Sequence, residues 1–192
     1  MRLYLRFTKG TFVVNSMNLK VTSTSTEIRG NLAQHAPTQM STRLTVLFAS
    51  SAGGHLAQLL QLSSWYADHD RTWVTFQLPD AVSLLQGEKT IWGHYPTTRN
   101  VPNLLRNMWL ALRVVRKQRP SVIVSSGAAI AVPFFWIGKL YGAKTVYVEV
   151  IDRIDTRTLT ARLCSPVTDL VIAQDESQRQ LFPGCEVIGR LL

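Results

Sequence analysis

A chain of 192 residues with 46% hydrophobic and 17% charged side chains is long enough for one domain with a sizeable core, which excludes disorder throughout. Its +9 net charge is unevenly spread, because residues 1–39 hold five Lys/Arg and one Glu and so carry +4 of it. Two cysteines, Cys164 and Cys185, are too few for a disulfide scaffold and lack zinc spacing, and no apolar run reaches the roughly 18 residues needed to span a bilayer.

The first elements in chain order are absent ones. Residues 1–39 show no sustained period of 2 or 3.6, and 21–26 is a polar Val-Thr-Ser-Thr-Ser-Thr run unable to bury a core. The reading is a disordered extension over 1–42 and a folded domain over 43–192. The Arg/Ser/Thr-rich, acid-poor extension resembles an organellar transit peptide more than a secretory signal, since its apolar piece at 11–14 is too short for the latter.

From Leu44 onward, short β-branched runs alternate with amphipathic segments, the pattern of a parallel sheet with crossover helices. Strands are expected at 44–49, 72–76, 90–95, 121–125, 145–150, 170–173 and 186–188. Helices are expected at 55–66, 79–85, 102–118, 130–141, 158–164 and 176–181. In the third helix Leu104, Leu105, Met108, Trp109, Leu112 and Val115 recur at three and four, which predicts that they form its buried face, with Arg106, Arg113, Arg116 and Lys117 opposite.

In such a sheet, ligands collect beyond the carboxyl ends of the strands. The polar residues of this chain cluster there: Ser50, Ser51, Gly53, Gly54 and His55 after the first strand, Thr97, Thr98 and Arg99 after the third, Ser125, Ser126 and Gly127 after the fourth, and Glu149, Asp152 and Arg153 after the fifth. The Gly53-Gly54 turn allows close approach of a ligand, and His55 can donate to a phosphate or accept a proton. Neither a Gly-x-Gly-x-x-Gly fingerprint nor a P-loop Lys-Ser/Thr is present, which disfavours nicotinamide binding and nucleotide hydrolysis. No recognition-helix, zinc or stacking motif supports nucleic-acid binding. His69 and His94 have no metal-spaced partners, so no metal or other cofactor is expected.

Four stretches stand in order: Phe48-Ala-Ser-Ser-Ala-Gly-Gly-His-Leu56, Thr98-Arg-Asn-Val-Pro-Asn-Leu-Leu-Arg106, Ser125-Ser-Gly-Ala-Ala-Ile-Ala-Val-Pro133 and Val146-Tyr-Val-Glu-Val-Ile-Asp-Arg153. Together they resemble the acceptor-side subunits of two-part GT-B glycosyltransferases, over about residues 43–192. These are bacterial capsule and exopolysaccharide subunits, related to the eukaryotic subunit that anchors the N-acetylglucosaminyltransferase of dolichol-linked oligosaccharide synthesis. The resemblance implies a Rossmann-like parallel sheet flanked by helices, equivalent to the N-terminal half of a GT-B enzyme. The donor-binding half is then a separate chain, the donor UDP-N-acetylglucosamine or another UDP-sugar, and the acceptor a polyprenyl-diphosphate glycan. Activity is expected in the complex and not in the isolated chain, with a non-catalytic scaffold as the alternative.

On this resemblance His55 is a candidate general base, with a helix-cap or phosphate contact equally open. Glu149 is a candidate catalytic or sugar-binding carboxylate, a salt bridge to Arg153 or Arg99 being the other reading. Ser51, Gly53, Gly54, Arg99, Ser126, Gly127 and Arg153 are candidate substrate contacts. Leu191 and Leu192 are candidates for docking the partner or for packing on their own domain. Eukaryotic relatives carry an N-terminal membrane helix that residues 1–39 do not contain. The expected location is therefore peripheral, on the cytoplasmic face of a membrane, met through the basic third helix and the apolar 132–137 stretch.

Overall fold

The computed structural model describes the backbone of residues 2–8 and 11–17, and the whole of residues 43–97, 100–151 and 156–191. Near the amino terminus, β1 (Arg2–Thr8) and β2 (Thr11–Met17) form an antiparallel hairpin whose register pairs Arg2 with Met17 and Thr8 with Thr11. This departs from the expectation of a segment without periodicity. Leu3, Leu5 and Phe7 do alternate with Tyr4, Arg6 and Thr8, a period of two too brief to stand out beside the polar run that follows. That run, at 21–26, lies outside the described residues.

The remaining strands form a seven-stranded, wholly parallel sheet in the order β5-β4-β3-β6-β7-β8-β9. They are β3 (Thr45–Ala49), β4 (Asp70–Thr75), β5 (Thr90–Trp92), β6 (Val122–Ser125), β7 (Lys144–Val148), β8 (Leu170–Ala173) and β9 (Glu186–Val187). The chain starts in the middle at β3 and builds outward through β4 and β5. It then returns to β6 on the other side of β3 and builds outward again. The strand order therefore reverses between β3 and β6, and a crevice opens at their carboxyl ends. The parallel sheet flanked by helices is the Rossmann-like architecture that the sequence led one to expect.

Side-chain alternation along β3 explains the two layers. Leu47 and Ala49 point to one face, packing with Ala111, Val114 and Val115 of α4 (Val101–Gln118) and Phe134 and Phe135 of α5 (Ala131–Leu140). Val46 and Phe48 point to the other, where they meet Leu56 and Leu59 of α1 (Gly54–Leu60) and Trp65 and Tyr66 of α2 (Ser63–Tyr66). Phe48 stacks on Trp73 with ring centroids 4.1 Å apart, and each buried side chain of this size contributes about 1.5–3 kcal/mol.

The single helix expected over 55–66 is two. Gln61 and Leu62 donate their N–H groups to the carbonyls of Gln58 and Leu59, tightening the last turn of α1 and re-aiming the chain. Leu62, Trp65 and Tyr66 thereby all reach the core. α3 (Pro79–Leu84) and α6 (Leu159–Cys164) fall where helices were expected, and Glu176–Gln180 is a 3₁₀ turn capped by Asp175.

The third expected helix, α4, is rotated relative to its predicted burial. Leu105 and Trp109 are 63% and 62% exposed, and Leu104, Met108 and Leu112 are also exposed. Of the predicted buried face only Val115 faces the core; the inward residues are Asn103, Asn107, Ala111, Val114 and Val115. The asparagines explain the choice. After β5 the chain runs on irregularly, and its backbone groups need partners. Asn107 accepts from the His94 N–H at 2.8 Å and donates to the His94 carbonyl at 2.9 Å, while Asn103 donates to the Pro96 carbonyl at 2.8 Å. Hydrophobic periodicity selects the most apolar face, but here backbone satisfaction prevails.

Candidate functional site

Two loops meet over the crevice between β3 and β6. The first leaves β3 through Ser50–Gly53, with Gly53 at φ +73, a conformation that favours glycine, and open space where its Cβ would lie. The second leaves β6 through Ser125, Ser126 and Gly127. Ser125 Oγ accepts from the Gly127 N–H at 3.0 Å and folds the turn on itself. Gly127 has φ +108, and a Cβ there would stand 2.9 Å from the Tyr147 hydroxyl, so backbone conformation and space both demand glycine.

The loops are clasped by a reciprocal pair. The His55 Nδ1 lies 2.8 Å from the Ser126 carbonyl oxygen, and Ser126 Oγ donates to the His55 carbonyl at 2.8 Å. A carbonyl oxygen only accepts, so Nδ1 carries the proton and Nε2 is the basic nitrogen of the neutral ring.

Beside this clasp, β7 brings up Tyr147 and, just past its end, Glu149. Both are buried, at 3% and 1% exposure. Glu149 is tied through its backbone to Ile172 and Gln174, and its Oε1 accepts from the Val150 N–H at 3.2 Å. Burial, then the neighbouring Glu149 carboxylate, push the Tyr147 hydroxyl well above its ordinary value, against a hydrogen bond with Thr158. It is a neutral donor at any physiological pH. Together these groups line a cavity of about 340 Å³ that includes Gly54, His55, Ser126, Tyr147, Glu149 and Thr158.

Of the residues expected from sequence, Gly54, His55, Ser126 and Glu149 line this cavity, and Gly127 lies directly beneath His55 and Tyr147. Ser51 and Gly53 do not line it. In the turn expected to allow close approach of a ligand, the Gly53 N–H donates to Asp80 Oδ2 at 2.7 Å. Leu191 packs against the second core layer and donates its N–H to Gln174 Oε1 at 2.9 Å. Arg99, Arg153 and Leu192 lie outside the described residues, so neither proposed salt-bridge partner of Glu149 is among them.

Sequence reasoning missed Tyr147, Gln58 and Thr158. Tyr147 stands two residues before Glu149, and Gln58 lies one helical turn from His55; both spacings put the pair on one side. Thr158 caps α6, its hydroxyl accepting from the Ala161 N–H at 3.0 Å. A buried glutamine network lies below. Gln174 Nε2 donates to Gln58 Oε1 at 3.0 Å and to the Glu149 carbonyl at 2.9 Å, and Gln178 Nε2 donates to the Val150 carbonyl at 2.8 Å. Among the described residues, no three or more His, Cys, Asp or Glu side chains are grouped so as to hold a metal ion.

Residues 94–191, which carry β6 to β9 and the Glu149 side of the cavity, match the family model described as oligosaccharide biosynthesis protein Alg14 like. The chain belongs to the Alg14-like family. The UDP-N-acetylglucosamine transferase subunit ALG14 of Candida albicans is 25% identical over 174 residues, covering 78% of each chain. The human subunit of the same name is 22% identical over 182 residues, covering 78% of this chain and 83% of its own. Among solved structures, MurG of Acinetobacter baumannii superposes with a TM-score of 0.61 at 17% identity, over 76% of this chain and 44% of its own. The UDP-N-acetylglucosamine 2-epimerase of Rickettsia bellii does so with 0.58 at 14% identity, over 72% of this chain and 40% of its own. At such identities these two matches establish the fold alone, and the Alg14-like chain spans less than half of either. Its family membership gives it a role in oligosaccharide biosynthesis.

Proposed function

We propose that residues 43–192 are the acceptor-side half of a two-chain glycosyltransferase, with 1–42 an extension outside it. A separate GT-B C-terminal-domain chain supplies the site for a UDP-sugar, UDP-N-acetylglucosamine first among them. The acceptor is a glycan on a polyprenyl diphosphate, presented at the cytoplasmic face of a membrane. The observation that carries the reading is the His55–Ser126 clasp at the strand-order reversal, beside a cavity that both His55 and Glu149 line.

In this reading His55 Nε2 takes the proton from the acceptor hydroxyl as its oxygen attacks the anomeric carbon and UDP leaves. Glu149 orients the acceptor sugar or the imidazolium formed in that step. The Tyr147 hydroxyl donates to an acceptor oxygen. Arg99 and Arg153 hold the diphosphate, Ser126 and the glycines at 54 and 127 allow its close approach, and Leu192 contacts the partner.

One observation favours a second reading, a non-catalytic scaffold for a partner transferase. The Gly53 amide is already satisfied by Asp80, and that carboxylate repels an incoming anion. The two readings separate in a reconstituted transfer assay. Both chains are purified and UDP-N-acetylglucosamine transfer to a polyprenyl-diphosphate-linked acceptor is timed for wild type, His55→Ala and Glu149→Ala. A fall in kcat of about 100-fold or more in either variant supports the catalytic half. Wild-type rates in both would leave the scaffold.

A further inference from the structure

One wall of the cavity carries a polar group that the proposed reaction leaves unused. Gln58 lies one turn beyond His55 on α1, is 6% exposed and lines the cavity with it. Its amide has a fixed direction, set by two backbone groups through a second glutamine. The Leu191 N–H can only donate, so the Gln174 atom that it meets at 2.9 Å is Oε1. The Glu149 carbonyl can only accept, and it takes Gln174 Nε2 at 2.9 Å. The same Nε2 stands 3.0 Å from the Gln58 amide, which must therefore turn its oxygen toward it. Gln58 Nε2 is left on the other branch. It takes no partner among the described residues and is not shut off from solvent, so both its N–H groups are open to whatever fills the cavity.

We propose that Gln58 is a specificity-determining residue, whose side-chain N–H groups donate to an oxygen of the acceptor sugar and so help choose which sugar the chain accepts. This rests on the reading of the cavity as the acceptor site. A primary amide turned this way offers two donors and no lone pair. The oxygen it reads is therefore one able to accept: a carbonyl, a ring or bridging oxygen, or a hydroxyl that donates elsewhere. A sugar without an oxygen at that place leaves the N–H pair desolvated and unpaired, which is how a polar site rejects a near-isostere.

The size and lining of the cavity agree. Its volume of about 340 Å³ stands at the low end of the roughly 300–1,000 Å³ of small-molecule sites, which suits one sugar residue rather than a glycan chain. Ala128, Val150 and Ile151 give it apolar surface for the C–H face of a sugar ring, so the few polar groups decide how the ring is oriented. Three residues of helix rise about 4.5 Å, which lets Gln58 and His55 engage different oxygens of one ring. A glutamine that merely filled space would need no buried partner to hold its oxygen, yet Gln174, 2% exposed, does so.

The test is an NMR titration of the purified full chain with a water-soluble, short-chain prenyl diphosphate carrying one N-acetylglucosamine, and with inorganic diphosphate as the control. The sugar-bearing probe should shift the backbone amides of Gly54 and Ser126 and also the side-chain NH₂ pair of Gln58, which inorganic diphosphate should leave in place. Gln58→Met keeps the length of the side chain without its donors and should weaken the probe about tenfold. In the transfer assay with the companion chain it should raise the acceptor KM by a similar factor while kcat stays within about threefold. Gln58→Glu keeps an oxygen for Gln174 Nε2 but turns a second oxygen, in place of the NH₂ group, to the cavity. It should weaken the probe at least as much, and unchanged thermal melting would show that either variant folds. Shifts at Gly54 and Ser126 without the Gln58 pair, or wild-type affinity in both variants, would overturn the proposal and leave the acceptor site standing. No shift at either loop would remove the acceptor-site reading itself, and the role of Gln58 with it.

Discussion

His55 and Ser126 hold each other twice: His55 Nδ1–H donates to the Ser126 carbonyl at 2.8 Å, and Ser126 Oγ donates to the His55 carbonyl at 2.8 Å. The pair joins two loops 71 residues apart and fixes which imidazole nitrogen is basic. Structure and chemistry at this position can therefore be separated. Asparagine at 55 keeps an N–H near Nδ1 that can reach the Ser126 carbonyl, but has no basic nitrogen. His55→Asn should retain wild-type stability to within about 1 kcal/mol while losing transfer as fully as His55→Ala does, a drop of about 100-fold or more in kcat. Urea melts and transfer rates on the same preparations check this. Activity retained in His55→Asn would reduce the histidine to a clasp.

Gly127 and Tyr147 form a steric pair. A methyl group at 127 meets the Tyr147 hydroxyl at 2.9 Å but its ring carbon Cζ only at 3.6 Å, an ordinary contact. Gly127→Ala should destabilise by about 2–4 kcal/mol, combining left-handed backbone strain with the clash. Adding Tyr147→Phe removes the clash and not the strain. The double variant should therefore recover part of that loss, and a double-mutant cycle should show coupling of about 1 kcal/mol or more.

The sheet was legible because burial on both faces makes β3, β6 and β7 mostly β-branched and aromatic, and the rim was legible because Ser, Gly, His and Glu residues gather just past their carboxyl ends. Helix α4 was misread because its two asparagines look polar in sequence, whereas in the fold they hydrogen-bond the His94 and Pro96 backbone. Tyr147 was hidden for the converse reason, being apolar by pattern and polar at its tip. Gln58 and Gln174 could not be paired from sequence, since they stand 116 residues apart and meet only because α1 and β8 both reach the end of β7.

That glutamine pair makes its own prediction. Gln174 satisfies Gln58 Oε1, the Glu149 carbonyl and the Leu191 N–H from one buried side chain. Gln174→Ala removes a partner from each of these groups and should destabilise by about 2–4 kcal/mol, at roughly 1–3 kcal/mol for each buried group that finds no water. It also releases the carboxyl-terminal segment, so hydrogen exchange at the Leu191 amide should accelerate more than at Ile172 in the β8 core. Equal acceleration at both would indicate global loosening instead.

The last prediction concerns alkaline pH. Burial pushes the Cys164 thiol, which forms no disulfide, up to about 12, and it also raises the Tyr147 hydroxyl. In the unfolded chain a thiol ionises near 8.5, so between there and about 12 the unfolded state has lost a proton that the folded state keeps. The unfolded state binds fewer protons in that window, and stability must fall as pH rises. The full contribution is present below the unfolded value and declines at up to about 1.4 kcal/mol per pH unit for this one group. Tyr147 adds appreciably to the slope only above about pH 9, since an unfolded phenol is half ionised near pH 10. Cys164→Ala lowers stability at neutral pH by leaving a small cavity, yet it should flatten the decline between about pH 8 and 9, where Tyr147→Phe changes the slope little. Urea melts across this range give both slopes, and an undiminished slope in Cys164→Ala would mean that the thiol ionises as readily in the folded chain as in the unfolded one.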